Sequence, residues 1–468
     1  MIKSIIKKLI PKNWLLFYHK ILALIASFLY QHPSEKMVVI GVTGTAGKTT
    51  TVYLIGKILE ETGYKVGWTN SISFKIGDRE IENKAKMTMP GRFFMQKILK
   101  EMVKASCQYA ILETSSEGIL QSRHLGINYD IAVFTNLSPE HIEAHGGFET
   151  YKKTKAKLFA KLKNEKRKIV KDKKTKKTII ANLDDEHAKY FLSFPADEYY
   201  GYSITNEESR IRNKAIQIIK AENVANSSFI IHHSLFRLHL PGKFNVYNAL
   251  AAISVARSLG IPLEIAKKAL EKIKDIPGRM EEVISRPFKV IVDYAHTPQS
   301  LKEAYETLRI SNFQFPISKS PPGRDPAVAG QMPNSKIQNP KMICVLGSCG
   351  GGRDKWKRPE LGKLAAQYCN QIILTDEDPY DENPAAILNE IEAGFSQITN
   401  YQLPITNYEK IFDRREAIKK ALFLAKPNDI VIITGKGCEP WMCLKNGRRI
   451  PWDDRQIAKD EFKKIFTP

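Results

Sequence analysis

The apolar run Met37-Val38-Val39-Ile40 leads into the turn "VTGTAGKTTT" (42–51) and then into a helical pattern, Val52-Tyr53-Leu54-Ile55-Gly56-Lys57-Ile58-Leu59. A buried strand, a glycine-rich turn and a helix in that order commit the chain to a parallel α/β sheet. The helix must cross back over the sheet before the next parallel strand can form. The turn does not keep the strict phosphate-loop spacing: counted back from Gly47-Lys48-Thr49, the outer glycine falls on Val42. Its mechanics survive. Gly44 and Gly47 free backbone N–H groups to face phosphate oxygens, with Thr45 and Thr50 beside them. Lys48 supplies a point charge, Thr49 offers a hydroxyl to Mg²⁺, and the helix start adds partial positive charge.

The alternation continues. "YAILETSS", "DIAVFTNLS" and "KTIIANLDD" each read as a buried strand ending in polar residues, with helical stretches between. The expected fold class is α/β. A P-loop-type, doubly wound central domain (37–275) precedes a smaller Rossmann-like α/β domain (276–468) with strands "KVIVDYAH", "KMICVLGSCGG", "QIILTDEDP" and "DIVIITGKG". The Lys-rich run 163–177 reads as an exposed loop. Residues 311–340, rich in Pro, Ser and Asn, read as a disordered insertion.

Residues 1–36 form a basic and apolar helical segment. Lys3, Lys7, Lys8 and Lys12 precede an apolar run from Trp14 to Tyr30 that His19 and Lys20 interrupt. It falls short of a membrane span. Two readings stay open: a helix packed on the body of the protein, and one lying in a membrane interface. The formal net charge of +22 favours polyanions, but the lysines are widely spread and most read as solvated faces. Six cysteines in 468 residues make no disulfide framework and point to a reducing cytoplasm, at the inner face of the membrane if the first helix touches lipid.

Chemistry concentrates at strand ends. Glu113, in "LETSSEGILQSR", ends a buried strand, where a carboxylate is costly unless paired or on a metal, so it fits a Mg²⁺ ligand, an N-cap or an ion-pair partner. "NLSPEHIEAHGGFETYKKTKAKLF" places His141, His145, Lys155 and Lys157 after the next strand. Taken with "LPGKFNVYNALAAISVARSLGI", "IPGRMEEV", "VDYAHTPQSL", "GGGRDKWKRPELG" and "TGKGCEPW", these motifs resemble the Mur ligase family in content and order over about residues 37–460. The branch most resembled adds the third residue of the peptidoglycan stem peptide.

The resemblance implies an ATP-dependent amide-bond ligase that works through an acyl phosphate, with ATP and two Mg²⁺ ions. Lys48 and Thr49 would hold the phosphates and the first ion, Glu113 and His141 would be metal ligands, and Lys155 would be carbamylated to bridge the metals. Asn248 matches an adenine contact, and Arg279, Asp293, Tyr294 and His296 match residues that close the last domain over ATP. Thr88, Ser115, Gln121 and Arg123 match contacts to the muramoyl-peptide. Glu439 matches the residue that binds the incoming amino acid's ammonium, Gly435 beside it counts with the substrate site, and Arg353, in a segment after a Gly-rich strand end, reads as part of a second anion nest for substrate. Asp376 and Asp378 lie in "TDEDPYDENP", where diaminopimelate-adding relatives carry D-N-P-R. Tyr380 stands in place of that arginine, so a bidentate carboxylate clamp is missing. The acidic run favours lysine or ornithine over diaminopimelate. Only about 36 residues precede the first strand, too few for the family's N-terminal UDP-binding domain. The acceptor is therefore a UDP-muramoyl-peptide or a lipid-linked equivalent, and the protein is expected to be a monomer with no nucleic-acid partner. The rivals are a ligase of the same superfamily acting on a folate- or polyglutamate-type acceptor, and, from another class, a P-loop NTPase switch.

Overall fold

A computed structural model describes residues 12–205, 215–312, 340–397 and 407–466. The chain divides into two compact units, one holding the residues up to Arg279 together with 352–354 and 439–441, and the other the remaining residues from Met280 onward.

The first unit is built on a nine-stranded sheet. Its strands in chain order are β1 (Val38–Thr43), β2 (Val66–Thr69), β3 (Ser73–Ile76), β4 (Arg79–Glu82), β5 (Tyr109–Glu113) and β6 (Ile131–Phe134), then, after the short hairpin β7 (Ile169–Val170) and β8 (Lys173–Lys174), β9 (Thr178–Asn182), β10 (Glu198–Ser203) and β11 (Ile216–Lys220). The spatial order is β11-β10-β9-β6-β1-β5-β2-β3-β4, parallel from β11 through β2, with β3 and β4 antiparallel at one edge. The doubly wound expectation holds. β1 lies between β5 and β6, so the chain winds away from it in both directions, and the crevice at its carboxyl end is where such sheets bind ligands.

Side chains of β1 alternate between two cores. Ile40 and Val42 face the helices Lys48–Glu61, Lys243–Ser258 and Leu263–Glu271, while Val39 faces Arg92–Lys104, Phe148–Asn164 and Ala188–Leu192. Gly41 falls on the second face, where a Cβ would stand 2.8 Å from the Tyr129 ring. A separate antiparallel sheet, β12 (Glu222–Ala225), β13 (Ser228–Ile231) and β14 (Ser234–Arg237), adds Phe229 and Phe236, stacked at 4.9 Å, to the first core.

The Lys-rich run 163–177 is largely exposed, as its charge suggests, but it is not a plain loop. The helix runs on to Asn164, the β7–β8 hairpin follows, and two of its lysines turn inward onto Asp130. Lys168 donates to the carbonyls of Ser34, Met37 and Asn128 (2.9, 2.7 and 2.9 Å), and Lys177 to Asn128 Oδ1 and the Tyr129 carbonyl (2.7 and 2.6 Å). Asp130 also accepts from the Val39 amide at 2.9 Å, which ties the start of β1 to the strand beside it. Burial pushes the Lys168 ammonium down to about 8 against the pull of Asp130.

The second unit carries a six-stranded sheet of β15 (Glu281–Ile284), β16 (Lys289–Val292), β17 (Met342–Leu346), β18 (Gln371–Leu374), β19 (Tyr408–Lys410) and β20 (Ile430–Ile433). The order is β15-β16-β20-β17-β18-β19, parallel except for β15. Its core joins Val290, Val292, Val345 and Ile433 to Ala417, Ile418 and Leu422 of the helix Arg414–Leu424. The insertion read at 311–340 lies outside the described residues except for its two ends: residues 311 and 312 finish the helix Pro298–Asn312, and residue 340 stands just before β17. The N-terminal segment is a helix, Lys12–Leu29, over its described part. No helix among the described residues is long and apolar enough to cross a membrane.

Candidate active site

In the first unit the site gathers at the carboxyl ends of β1, β5 and β6. Gly47, at φ 79°, caps the helix Lys48–Glu61, a conformation that favours glycine. A Cβ there would lie 2.3 Å from Asn248 Oδ1. The loop is clamped from β6. Thr45 N donates to the Asn136 carbonyl and Ala46 N to Asn136 Oδ1, both at 2.9 Å, and Thr135 Oγ1 donates to the Ala46 carbonyl at 2.8 Å. Lys48 Nζ donates to the Thr45 carbonyl at 2.7 Å. Thr50, one turn into the helix, is buried.

Glu113 is buried at the end of β5 and holds three groups. Thr49 Oγ1 donates to its Oε2 at 2.9 Å, the Ser71 amide donates to the same oxygen at 2.9 Å, and Ser71 Oγ contacts both oxygens at 3.2 Å. Thr88 Oγ1 reaches Ser71 Oγ at 3.1 Å and so extends the chain of hydroxyls. Lys155 is 1% exposed, while Lys157 on the same helix faces solvent. Lys155 Nζ donates to the Gly44 carbonyl at 2.6 Å and lies 4.5 Å from the centre of the Tyr151 ring. Burial first, and Lys48 second, hold its ammonium well below the usual lysine range, against Glu140 and Glu113. His141 begins the short helix Ile142–His145 in a left-handed conformation (φ 55°), with Nε2 3.7 Å from Glu140 Oε1. His145 Nε2 is 3.2 Å from Ser116 Oγ, and its ring meets that of Tyr151 edge-on.

Beside these, Ser115 caps its own helix by accepting from Gly118 N at 3.1 Å. Arg123 donates to Gln121 Oε1 (2.7 Å) and to the Met89 carbonyl, and Arg92 donates to the Gln121 carbonyl (2.6 Å). Burial lowers both guanidinium pKa values, and Arg92 is lowered further by Arg123. Two cations held this way suit an anionic ligand. Asn248 is buried, with its amide at 3.1 Å from Asn245 Oδ1 and its oxygen at 3.4 Å from Thr51 Oγ1. Arg279 lies in the turn that ends the unit, with N bonded to the Ile276 carbonyl and Nη1 to the Gly278 carbonyl, both at 3.0 Å.

The second unit's residues lie at the carboxyl ends of its parallel strands. Asp293, after β16, accepts from the amides of Met280 and Ala295, both at 2.7 Å. His296 Nδ1 meets the Tyr294 carbonyl at 2.8 Å, and Lys357 Nζ donates to the His296 carbonyl at 3.0 Å. Asp378 is paired with buried Lys436 at 2.9 Å and accepts from the Cys443 amide at 2.7 Å. Glu377 is 3% exposed. Cys349 Sγ donates to its Oε1 at 3.3 Å, and among the described residues Oε2 has no hydrogen-bond partner. Burial raises its pKa, and raises that of Asp376 to about 6. Gly435 (φ 104°) has room only for a hydrogen: a Cβ would stand 1.9 Å from Glu377 Oε2. Glu439, partly buried in the loop after β20, and Arg353, exposed, group with the first unit instead.

The donors fit Mg²⁺. It favours hard oxygen ligands and takes one or two carboxylates plus water and phosphate oxygens. Thr49 and Glu113 present a hydroxyl and a carboxylate side by side at the phosphate loop. No cluster of three His, Cys, Asp or Glu side chains able to hold a metal occurs among the described residues. Sequence reasoning did not single out Ser71, Arg92, Asn136, Glu140 or Tyr151. Asn136 and Glu140 could have been found, because both flank the strand-end motif that carries His141.

Comparison with known proteins gives this arrangement a class. The profile "Mur ligase middle domain" matches residues 42–256, and "Mur ligase, glutamate ligase domain" matches residues 327–437. A UDP-N-acetylmuramoyl-L-alanyl-D-glutamate–2,6-diaminopimelate ligase of Clostridium tetani is 33% identical over 450 residues, 96% of this chain and 82% of that protein. A UDP-N-acetylmuramyl-tripeptide synthetase of Roseiflexus is 35% identical over 449 residues, 94% of this chain and 81% of the other. A solved 2,6-diaminopimelate ligase of the same description superposes with a TM-score of 0.55 at 27% identity, covering 92% of this chain and 79% of that one. The chain belongs to the Mur ligase family, whose members are ATP-dependent, ADP-forming amide ligases.

One expectation falls. The acidic run "TDEDPYDENP" argued for lysine or ornithine over diaminopimelate, yet three of the similar relatives are diaminopimelate ligases. The structure supplies the physical reason. Asp378 is already paired with buried Lys436, so the carboxylate nearest the missing arginine is engaged within the fold.

Proposed function

We propose that the chain adds the third residue of the stem peptide, joining an amino acid to the terminal carboxylate of a muramoyl-dipeptide. The observation that supports this most is the grouping of Thr49, Glu113 and Lys155 at one phosphate loop. The acceptor carboxylate attacks the γ-phosphorus of ATP, giving an acyl phosphate and ADP. The amine then attacks the acyl carbon, loses a proton and expels phosphate. Neither step needs a protein nucleophile, so the chain's work is to position groups and balance charge.

The phosphate loop and Lys48 face the β- and γ-phosphates. Thr49 and Glu113 would hold Mg²⁺, which offsets the negative charge of the phosphates when bound. Arg92 and Arg123 take an acceptor carboxylate. Lys155, with its lowered pKa, is open to reaction with CO₂: the neutral amine bonds to the CO₂ carbon and releases a proton, turning a buried cation into a carboxylate. That carboxylate and His141 would hold a second ion. Diaminopimelate, the amino acid in most of the relatives' names, is the first to test.

The test is mass spectrometry of a reaction holding the protein, ATP, Mg²⁺, UDP-N-acetylmuramoyl-L-alanyl-D-glutamate and a mixture of amino acids. A product heavier by one residue, with equal ADP, is expected. ATP hydrolysis that no acceptor stimulates would overturn the reading.

A further inference from the structure

The N-terminal helix Lys12–Leu29 is arranged against the usual rule for a helix on a protein surface. The face turned to the body is small: Ala23, Ala26 and Ser27 are buried, Ser27 Oγ donates to the Gly126 carbonyl at 2.8 Å, and a Cβ on Gly126 would stand 2.6 Å from Ser27 Cβ. The face turned to solvent is large and apolar. Trp14 is 69% exposed and Phe28 72%, with Phe17, Ile21, Leu24, Ile25 and Leu29 exposed between and beside them. At helical spacing these side chains cover an arc of about 140°, opposite the buried alanines. A helix made only to pack on its own protein would place the bulky groups inward. Contiguous apolar surface of this extent marks a binding face.

Charge indicates what covers it. Lys3, Lys7, Lys8, Lys12 and Lys20 lie within the first 34 residues, and the first acidic residue of the chain is Glu35. A cationic segment running into an aromatic and aliphatic stripe is complementary to a surface that is anionic at its edge and apolar beneath. We propose that this helix seats the protein on an anionic lipid bilayer, lying in the interface with its Trp14-to-Phe28 face in the acyl boundary. The proposal does not rest on which acceptor the ligase uses.

The test is flotation of the full chain with phosphatidylcholine vesicles containing about 30 mol% phosphatidylglycerol, and with phosphatidylcholine alone. Binding to the anionic vesicles that weakens in high salt is expected. A Phe17→Ser, Leu24→Ser, Phe28→Ser variant should bind at least about tenfold more weakly while melting at the wild-type temperature, since all three side chains already face water. No flotation of the wild type would overturn the proposal, and so would flotation unchanged in the variant. A wild type that is dimeric in sedimentation equilibrium, stays off vesicles and becomes monomeric in the variant would assign the face to a second copy instead.

Discussion

Lys155 shows how a single side chain is tuned by where it sits. An amine 1% exposed, 2.6 Å from a carbonyl and close to a second lysine is pushed toward neutrality. Lys155→Ala is expected to lower ligation by at least about a hundredfold, read as product formed per minute, with the melting temperature unchanged or raised because a buried amine is gone. His124 is the acid-side counterpart. Burial, with help from Lys161 and Lys157, lowers its pKa to about 3, so the folded chain stays unprotonated there while the unfolded chain takes up a proton near pH 6.5. The histidine therefore costs nothing above pH 6.5 and costs progressively more as pH falls from 6.5 toward 3. His124→Met should match wild type near pH 7 and exceed it by about 3 kcal/mol at pH 4 in urea melts. The strand-end position of Glu113 and the apolar spacing around Lys155 were legible in the sequence. The partners Ser71 and Arg92 were not, because they reach the site from segments whose own pattern carries no phosphate or metal signal.

Among the elements, the phosphate loop and the β7–β8 hairpin show opposite degrees of legibility. The loop's glycines announced themselves by spacing. Gly47→Ala is expected to abolish nucleotide binding in isothermal titration, since the new methyl meets both a left-handed φ and the Asn248 side chain. The hairpin's own lysines face solvent as their charge suggests, but the two that flank it, Lys168 and Lys177, do not. A run of like charges usually marks a solvated face, and only the fold reveals that Lys168 and Lys177 converge on Asp130. Asp130→Asn would leave two buried ammonium groups without their counter-ion and should destabilise by about 3–5 kcal/mol at pH 7. The loss should shrink as pH rises through the range where Lys168, already lowered to about 8, becomes neutral. Equal loss at pH 7 and pH 10 in denaturant melts would contradict this.

At the scale of the whole chain, the two α/β units and their parallel strands were legible because each strand is a short apolar run ending in polar residues. The antiparallel strands β3, β4, β12, β13, β14 and β15 were not: they are short, and several face solvent on one side. Amino-acid choice was misread for a related reason, since Asp378, a carboxylate that looks available in the sequence, is paired with Lys436 in the fold. The claim that joins these scales is that ATP is spent on making an acyl phosphate. The direct measurement uses an acceptor whose reacting carboxylate carries ¹⁸O. The account predicts one ¹⁸O in the released phosphate for each amide formed, with the amount of labelled phosphate falling in step with ligation in Lys155→Ala. Phosphate released without label, at a rate indifferent to the acceptor, would contradict it.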